Sequence, residues 1–312
     1  MSFKSIRYYF ETSNLDIVIP LWHQKLEHQV QMIFAPFLDN HKIAKNVKKN
    51  MTYKTSQEHK VPNQSSLELI ENVKASIEPD IAEMSEWYYR YVRGCHKRLA
   101  YDIDYVKKYV PQQGKILEFG AIPLLLTGGL QKLGYNVHGI DIAPERFAKA
   151  IASLNLKVSK VDIETEKLPF SDGEFDAIIF NELFEHLRIN PIFTLKEVYR
   201  VMNPNGILLL STPNLKSLRG IIDFLLKDRI AGGDIWSEYN KLYTLGHMGH
   251  VREYSTLEVC LFLEKIGFTI NEVVYRGSIY PNKWQRIVLR LFPVLKLFPS
   301  LRPFMTIVAK QA

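Results

Sequence analysis

Gly120 and Asp141 lie about 20 residues apart, each closing an apolar run, Lys115-Ile116-Leu117-Glu118-Phe119 before the glycine and Val137-His138-Gly139-Ile140 before the carboxylate. A carboxylate at that distance suits a ribose, because one carboxylate accepts hydrogen bonds from both neighbouring hydroxyls. Two more groups of this kind are Asp162, in Val161-Asp162-Ile163-Glu164, and Asn181, after Phe175-Asp176-Ala177-Ile178-Ile179-Phe180. His186 and His250 add a second chemistry, since an imidazole titrates near neutral pH and can take a proton from a hydroxyl.

Such residues need a scaffold that ends several strands at one edge, and the chain alternates accordingly. Strands are predicted near 115–119, 136–140, 156–161, 175–180 and 206–211, with helices near 123–133, 144–153 and 191–202 between them. A helix near 255–266, a strand at 268–274 and a last strand at 304–310 follow. The rhythm predicts an α/β fold with a Rossmann-like, mostly parallel sheet and helices on both faces. Residues 81–110, rich in Trp87, Tyr88, Tyr89, Tyr91, Tyr101, Tyr105 and Tyr109, read as helices leading into the first strand. Residues 1–80 lack the rhythm and read as an accessory, mainly helical region before a domain at 81–312. Two stretches interrupt that domain, near 213–254 and 276–302.

A dinucleotide site needs G-x-G-x-x-G, and here Gly120 is followed by Ala121-Ile122-Pro123-Leu124-Leu125. No tyrosine has a lysine four positions later, so the catalytic pair of short-chain dehydrogenases is missing. What remains resembles the class I S-adenosylmethionine-dependent methyltransferases, of the small-molecule and glycan type. The blocks carrying the resemblance run in order: Ile116 to Ala121, Gly139 to Glu145, Val161 to Glu164 with Phe175 to Leu187, and Glu197 to Thr212. The departure is in the first block, where the family usually shows G-x-G-x-G. Pro123 is expected in the first turn of the following helix, where its missing N–H costs nothing.

The resemblance implies S-adenosylmethionine as cofactor and a seven-stranded sheet in the order 3-2-1-4-5-7-6. It implies that Asp141 holds the ribose with Ile142 beside it, Asp162 the adenine amino group, and Ile163 the ring. Glu118 and the backbone of Gly120 and Ala121 fall to the methionine part, and Asn181 to its ammonium. His186 and His250 are the candidate general bases. A catalytically inactive scaffold of the same fold and an NAD-dependent enzyme stay open beside this reading. His247 and His250 suggest a metal pair, but no third ligand has suitable spacing nearby, and no metal is expected.

Absences narrow the acceptor. The position after the fourth strand reads Asn181-Glu182-Leu183-Phe184 instead of an Asn/Asp-Pro-Pro-aromatic run, and neither cysteine follows a proline. Nucleic acid is therefore not the expected partner. A sugar, polysaccharide or lipid-linked hydroxyl is the first reading, and a quinone or phenol the alternative.

With 46% hydrophobic and 23% charged residues and only Cys95 and Cys260, the chain reads as a cytoplasmic globular protein. Residues 1–30 show no signal-peptide pattern, and no run approaches the roughly 20 apolar residues of a membrane span. The net charge is +7, and no acidic residue follows Glu272. Lys283, Arg286 and Arg290 recur at helical spacing among Trp284, Ile287, Val288, Leu291 and Phe292. The segment 283–301 thus reads either as a peripheral membrane contact or as a cap on the protein's own sheet.

Overall fold

The structure, a computed structural model, describes residues 53–57, 61–230, 234–244, 249–277 and 298–312. The chain divides into Met1–Thr52 and Tyr53–Ala312, and every described residue belongs to the second unit. Most of the accessory region and the basic stretch 283–297 lie outside the described residues.

One mixed sheet organises this unit. Its strands are β1 (Lys54–Gln57), β2 (Lys115–Phe119), β3 (Asn136–Asp141), β4 (Lys157–Lys160), β5 (Phe175–Asn181), β6 (Met202–Pro213), β7 (Phe268–Arg276) and β8 (Phe304–Gln311). The order across the sheet is β1-β7-β8-β6-β5-β2-β3-β4. Only β8 runs antiparallel to its neighbours β6 and β7. Without β1 this is the predicted 3-2-1-4-5-7-6 order, so the expected seven strands are present and the sheet has eight. The extra strand pairs in parallel with β7, Lys54 opposite Glu272 and Gln57 opposite Tyr275. Its sequence, Lys-Thr-Ser-Gln, has no apolar alternation. Backbone pairing and the Ser56 hydroxyl on Glu272 at 2.6 Å hold it. Residues 53–80, grouped above with the accessory region, therefore contribute this strand and helix α1 (Gln64–Lys74) to the sheet-bearing unit.

Central parallel strands are covered on both faces, which calls for unbroken apolar runs. Ile116, Leu117, Ala177 to Phe180 and Leu208 to Leu210 are accordingly all buried. The aromatic stretch before β2 is a single helix, α2 (Ala82–Tyr109). Tyr88, Val92, Ile103 and Val106 of α2 are buried in the core. The end of β7 grips this helix: the buried Arg276 guanidinium pairs with Asp102 at 2.5 Å and donates to the Arg98 carbonyl at 2.8 Å. Tyr91 and Arg98 of α2 are thereby held over the ends of β2 and β5.

The turn after β2 differs from expectation. Pro123 precedes helix α3 (Leu125–Lys132), and the Ile122–Pro123 peptide is cis. Gly120 has φ +67° and Leu124 has φ +71°. Leu124 thus keeps the left-handed backbone for which the third glycine of the family pattern is suited. Its side chain is buried in the core, so it does not crowd a ligand. Gly139 on β3 is needed for the same turn, since a Cβ there would lie 2.6 Å from the Ala121 Cβ.

Four more helices matter for the site: α4 (Ala148–Ser153), α5 (Pro191–Val201), α6 (Leu218–Lys227) and α7 (Ile235–Thr244). The last, α8 (Thr256–Ile266), begins in a capping box between Ser255 and Glu258.

Candidate active site

The carboxyl ends of β2, β3 and β5 bring the predicted cofactor residues to one edge. Asp141 receives the backbone N–H of Ile122 at 3.2 Å on Oδ2 and that of Ala143 at 2.9 Å on Oδ1. Each oxygen keeps a second acceptor position, which is what a pair of ribose hydroxyls needs. Burial raises the Asp141 carboxyl above its ordinary value, and the two backbone donors offset part of that rise. The carboxylate therefore fastens both turns that frame the site. Ile142 follows it, half-buried.

A small cavity lies between these strand ends and α2. Tyr91, Arg98, Glu118, Gly120, Ala121, Ile122 and Asn181 are among the residues lining it. Its volume is about 30 Å³, and Tyr91 and Arg98 line it from α2. The Asn181 Oδ1 is buried with no hydrogen-bond partner among the described residues, as a group awaiting an ammonium donor would be. Glu118 is buried and accepts from the Thr127 hydroxyl. Burial raises its pKa to about 8, with Thr127 opposing and the charges of Asp102 and Asp141 adding to the rise. These residues fit a cationic ligand arm. A larger hollow of about 310 Å³ lies away from these strand ends, between Pro144 and Val158, and Glu145 is its only ionisable lining residue.

Glu118 gives a pH signature. Below pH 8 it is mostly protonated in the free protein, and a cationic ligand favours its carboxylate. Affinity for S-adenosylmethionine is therefore expected to rise as pH increases towards 8 and to level off above it. Titration calorimetry of wild type and Glu118→Gln at about pH 6.5 and about pH 8.5, on either side of that value, checks this. The ratio of the two affinities changes with pH only if Glu118 is the titrating group.

On the far side of β3, the Asp162 Oδ1 accepts the Glu164 backbone N–H at 3.0 Å, which shapes the turn after β4. The Ile163 carbonyl accepts from Thr194 of α5 at 3.0 Å. Both residues are half-buried. The adenine contact expected of Asp162 would use Oδ2.

The two predicted histidines, 64 positions apart in sequence, meet here: their ring centroids are 4.8 Å apart at 81°. His186 follows β5 in a short 3₁₀ turn, and His250 arrives from the insertion after β6. The His186 Nδ1 lies 2.9 Å from the Gly249 carbonyl, an acceptor only, so Nδ1 donates and Nε2 carries the free lone pair. Burial and the neighbouring His250 charge lower its pKa to about 4. Burial also acts to lower His250, but the Glu253, Glu185 and Glu238 carboxylates outweigh it and raise its pKa. Its Nδ1 lies 3.7 Å from Glu253, an ion-pair distance too long for a hydrogen bond.

Three further participants carry little or no signal in the sequence. Glu185 is buried, accepts the Thr212 hydroxyl at 2.9 Å, and holds Val251 through its carbonyl at 2.9 Å. Burial raises its carboxyl to about 7, and the His250 charge draws it back. Ligand atoms of Glu185, His186 and His250 all lie within 4.8 Å of one another. His247, the other member of the histidine pair weighed from the sequence, lies outside the described residues; Glu185 and His186 are the groups that stand beside His250. Arg98 reaches Glu182 at 3.5 Å and the Tyr91 hydroxyl at 2.7 Å, which links the cavity to that turn. Glu182 itself has φ +50°, a strained backbone for a non-glycine residue and one that clusters at functional sites. The signal for Glu185 is the acid beside His186; for Arg98 there is none outside tertiary structure.

A family model described as a methyltransferase domain matches residues 87–273, and the chain belongs to that family, the class I S-adenosylmethionine-dependent methyltransferases. The ubiquinone biosynthesis O-methyltransferase of Dechloromonas aromatica (strain RCB) is 34% identical over 117 residues, 36% of this chain and 50% of that protein. The protein of the same name from Xanthomonas campestris pv. campestris (strain B100) is 31% identical over 119 residues, 36% of this chain and 48% of its own length. The chain spans about half the length of these relatives. A methyltransferase structure from Archaeoglobus fulgidus, described as SAM dependent, aligns with a TM-score of 0.50 at 15% identity, over 72% of this chain and 100% of that one. That likeness shows the fold.

Proposed function

We propose that the protein transfers the methyl group of S-adenosylmethionine to a hydroxyl of a small-molecule acceptor. The observation that carries this is the adjacency of two groups of residues at one sheet edge. Asp141, Glu118 and Asn181 are suited to the cofactor, and Glu185, His186 and His250 to a hydroxyl. The cofactor supplies an electrophilic methyl on a sulfonium; the residues must align the acceptor oxygen with it and receive the hydroxyl proton. Binding of the ribose by Asp141, and of the amino-acid end by Asn181 and Glu118, would fix the methyl's position. The proton goes to the His186–His250–Glu185 cluster.

The same cluster supports a refinement, one divalent cation held by the Glu185 carboxylate and the two imidazoles. Two imidazoles and a carboxylate are a common donor set for such an ion. The His186 Nδ1–H on the Gly249 carbonyl leaves Nε2 turned for a ligand role, the usual arrangement of a metal-binding histidine. A cation there would make the hydroxyl more acidic and hold it in place.

The acceptor we favour is a hydroxyl on a lipid-bearing molecule, either a lipid-linked sugar or a quinone-type phenol. The names of the relatives support the phenol. The test is transfer of label from methyl-labelled S-adenosylmethionine to a panel of prenylated phenols and lipid-linked sugars, with and without added Mg²⁺ or Zn²⁺. Label on an acceptor oxygen is the expected result. Cofactor binding with no transfer to any hydroxyl would favour the inactive scaffold.

A further inference from the structure

Two helices of the insertion after β6 are amphipathic in the inverted sense. In α6 the buried residues are Gly220 and Asp223, while Phe224, Leu225 and Leu226 are 59%, 71% and 79% exposed. In α7 Glu238 is buried, while Ile235, Trp236 and Tyr239 are 80%, 81% and 62% exposed. The buried acids are satisfied: Asp223 accepts from Lys227 at 2.6 Å, and Glu238 from Lys241 at 2.6 Å and from the His250 backbone N–H at 2.9 Å. A helix this apolar is ordinarily buried, because water gains nothing from solvating leucine. Large apolar surface left outward marks a contact with something else.

We propose that this insertion docks on an anionic lipid bilayer. Around α6 the exposed charges are Lys216, Arg219, Lys227 and Arg229 against Asp228, and Asp234 is exposed before α7. Arg219 and Lys227 are also paired to Asp223 at 3.6 and 2.6 Å, which leaves a surplus of cations on α6. A second copy of the chain would bring the same patch against itself, setting these cations face to face. An interface of anionic headgroups over acyl chains satisfies the cations and the leucines together. The contact is peripheral, since no described helix is long and apolar enough to cross a membrane.

Position gives the docking a purpose. The insertion leaves the sheet at the carboxyl end of β6 and returns where Asn214 bridges Tyr254, carrying His250 on the way back. Ligands of open α/β sheets bind beyond the carboxyl ends of the strands. The docking segment and the acceptor side of the site therefore belong to one piece of chain. The bilayer would present the lipid-bearing acceptor to His186 and His250; that step rests on the function proposed above, whereas docking itself does not.

Flotation of the full chain with vesicles tests it, using phosphatidylcholine alone and phosphatidylcholine mixed with phosphatidylglycerol. Wild type is expected to float with the anionic vesicles at low salt, and Leu225→Ser/Leu226→Ser to partition roughly tenfold less. Unchanged thermal unfolding and S-adenosylmethionine binding would show that the variant is folded. Trp236→Phe should also reduce the blue shift of tryptophan emission on vesicle addition, the remainder reporting Trp284 and the other tryptophans. Three results would overturn the proposal: no flotation of wild type, equal flotation of the double variant, or a wild-type dimer that the double variant dissolves without any lipid binding. Since flotation needs no turnover, a missing acceptor and a missing membrane contact are told apart.

Discussion

Glu185→Gln and His250→Ala are each expected to lower kcat by about 10²- to 10⁴-fold, the usual contribution of a positioned acid–base group. Both should leave the dissociation constant of S-adenosylmethionine within about threefold of wild type. The separation follows from geometry. Both side chains sit in the turn after β5 and the end of the insertion, whereas the cofactor residues sit on β2 and β3, in the turns after β2, β3 and β4, and at the last position of β5. Gln at 185 preserves volume and an acceptor for Thr212, so folding should survive the change. Chelation divides the two forms of the mechanism. If a cation is held, stripping the protein with EDTA lowers the wild-type rate by a similar factor, and adding metal restores it. If the histidines act alone, chelation leaves the wild-type rate unchanged while His250→Ala still loses activity. Full activity in both variants would remove the cluster from the mechanism.

Asp141→Ala is expected to weaken S-adenosylmethionine binding by about 10²- to 10⁴-fold, taking two hydrogen bonds to a charged acceptor at about 1.5–3 kcal/mol each. Asp141→Asn should fall between, because the amide keeps one acceptor oxygen and loses the charge. The alanine substitution also releases the Ile122 and Ala143 backbone donors, so part of the loss is disorder in the two turns rather than the missing contact. Titration calorimetry gives the affinities, and urea unfolding of the free proteins gives the share that belongs to the turns. Equal affinity for wild type and Asp141→Ala would end the ribose assignment.

Much of the fold is legible in the residues alone. The buried parallel strands announce themselves as apolar runs, and period and length place β2 to β8 to within a few residues, though β6 begins earlier than predicted, at Met202. Asp141 is legible because adjacent parallel strands end at one edge, so a residue's rank along its strand sets its place in the site. The strand order follows from the resemblance. Local pattern does not reveal β1, whose polar residues owe their conformation to the free edge of β7.

The turn at 120–124 shows where residue type misleads. Where the family pattern has its third glycine, Leu124 keeps a left-handed backbone that sends its side chain into the core while the chain follows the path a glycine would take. Only packing decides such a case, because the cost of the backbone is local and the gain from burial is not. The active-site cluster makes the same point at longer range. Sequence nominates His186 and His250 singly, each by its chemistry. That they meet over Glu185 depends on where the insertion closes against β6, and that Arg98 lines the cavity depends on Arg276 gripping the middle of α2. Elements come from local periodicity, which the chain carries in itself; a site assembled from four distant segments exists only once the sheet has set their separations.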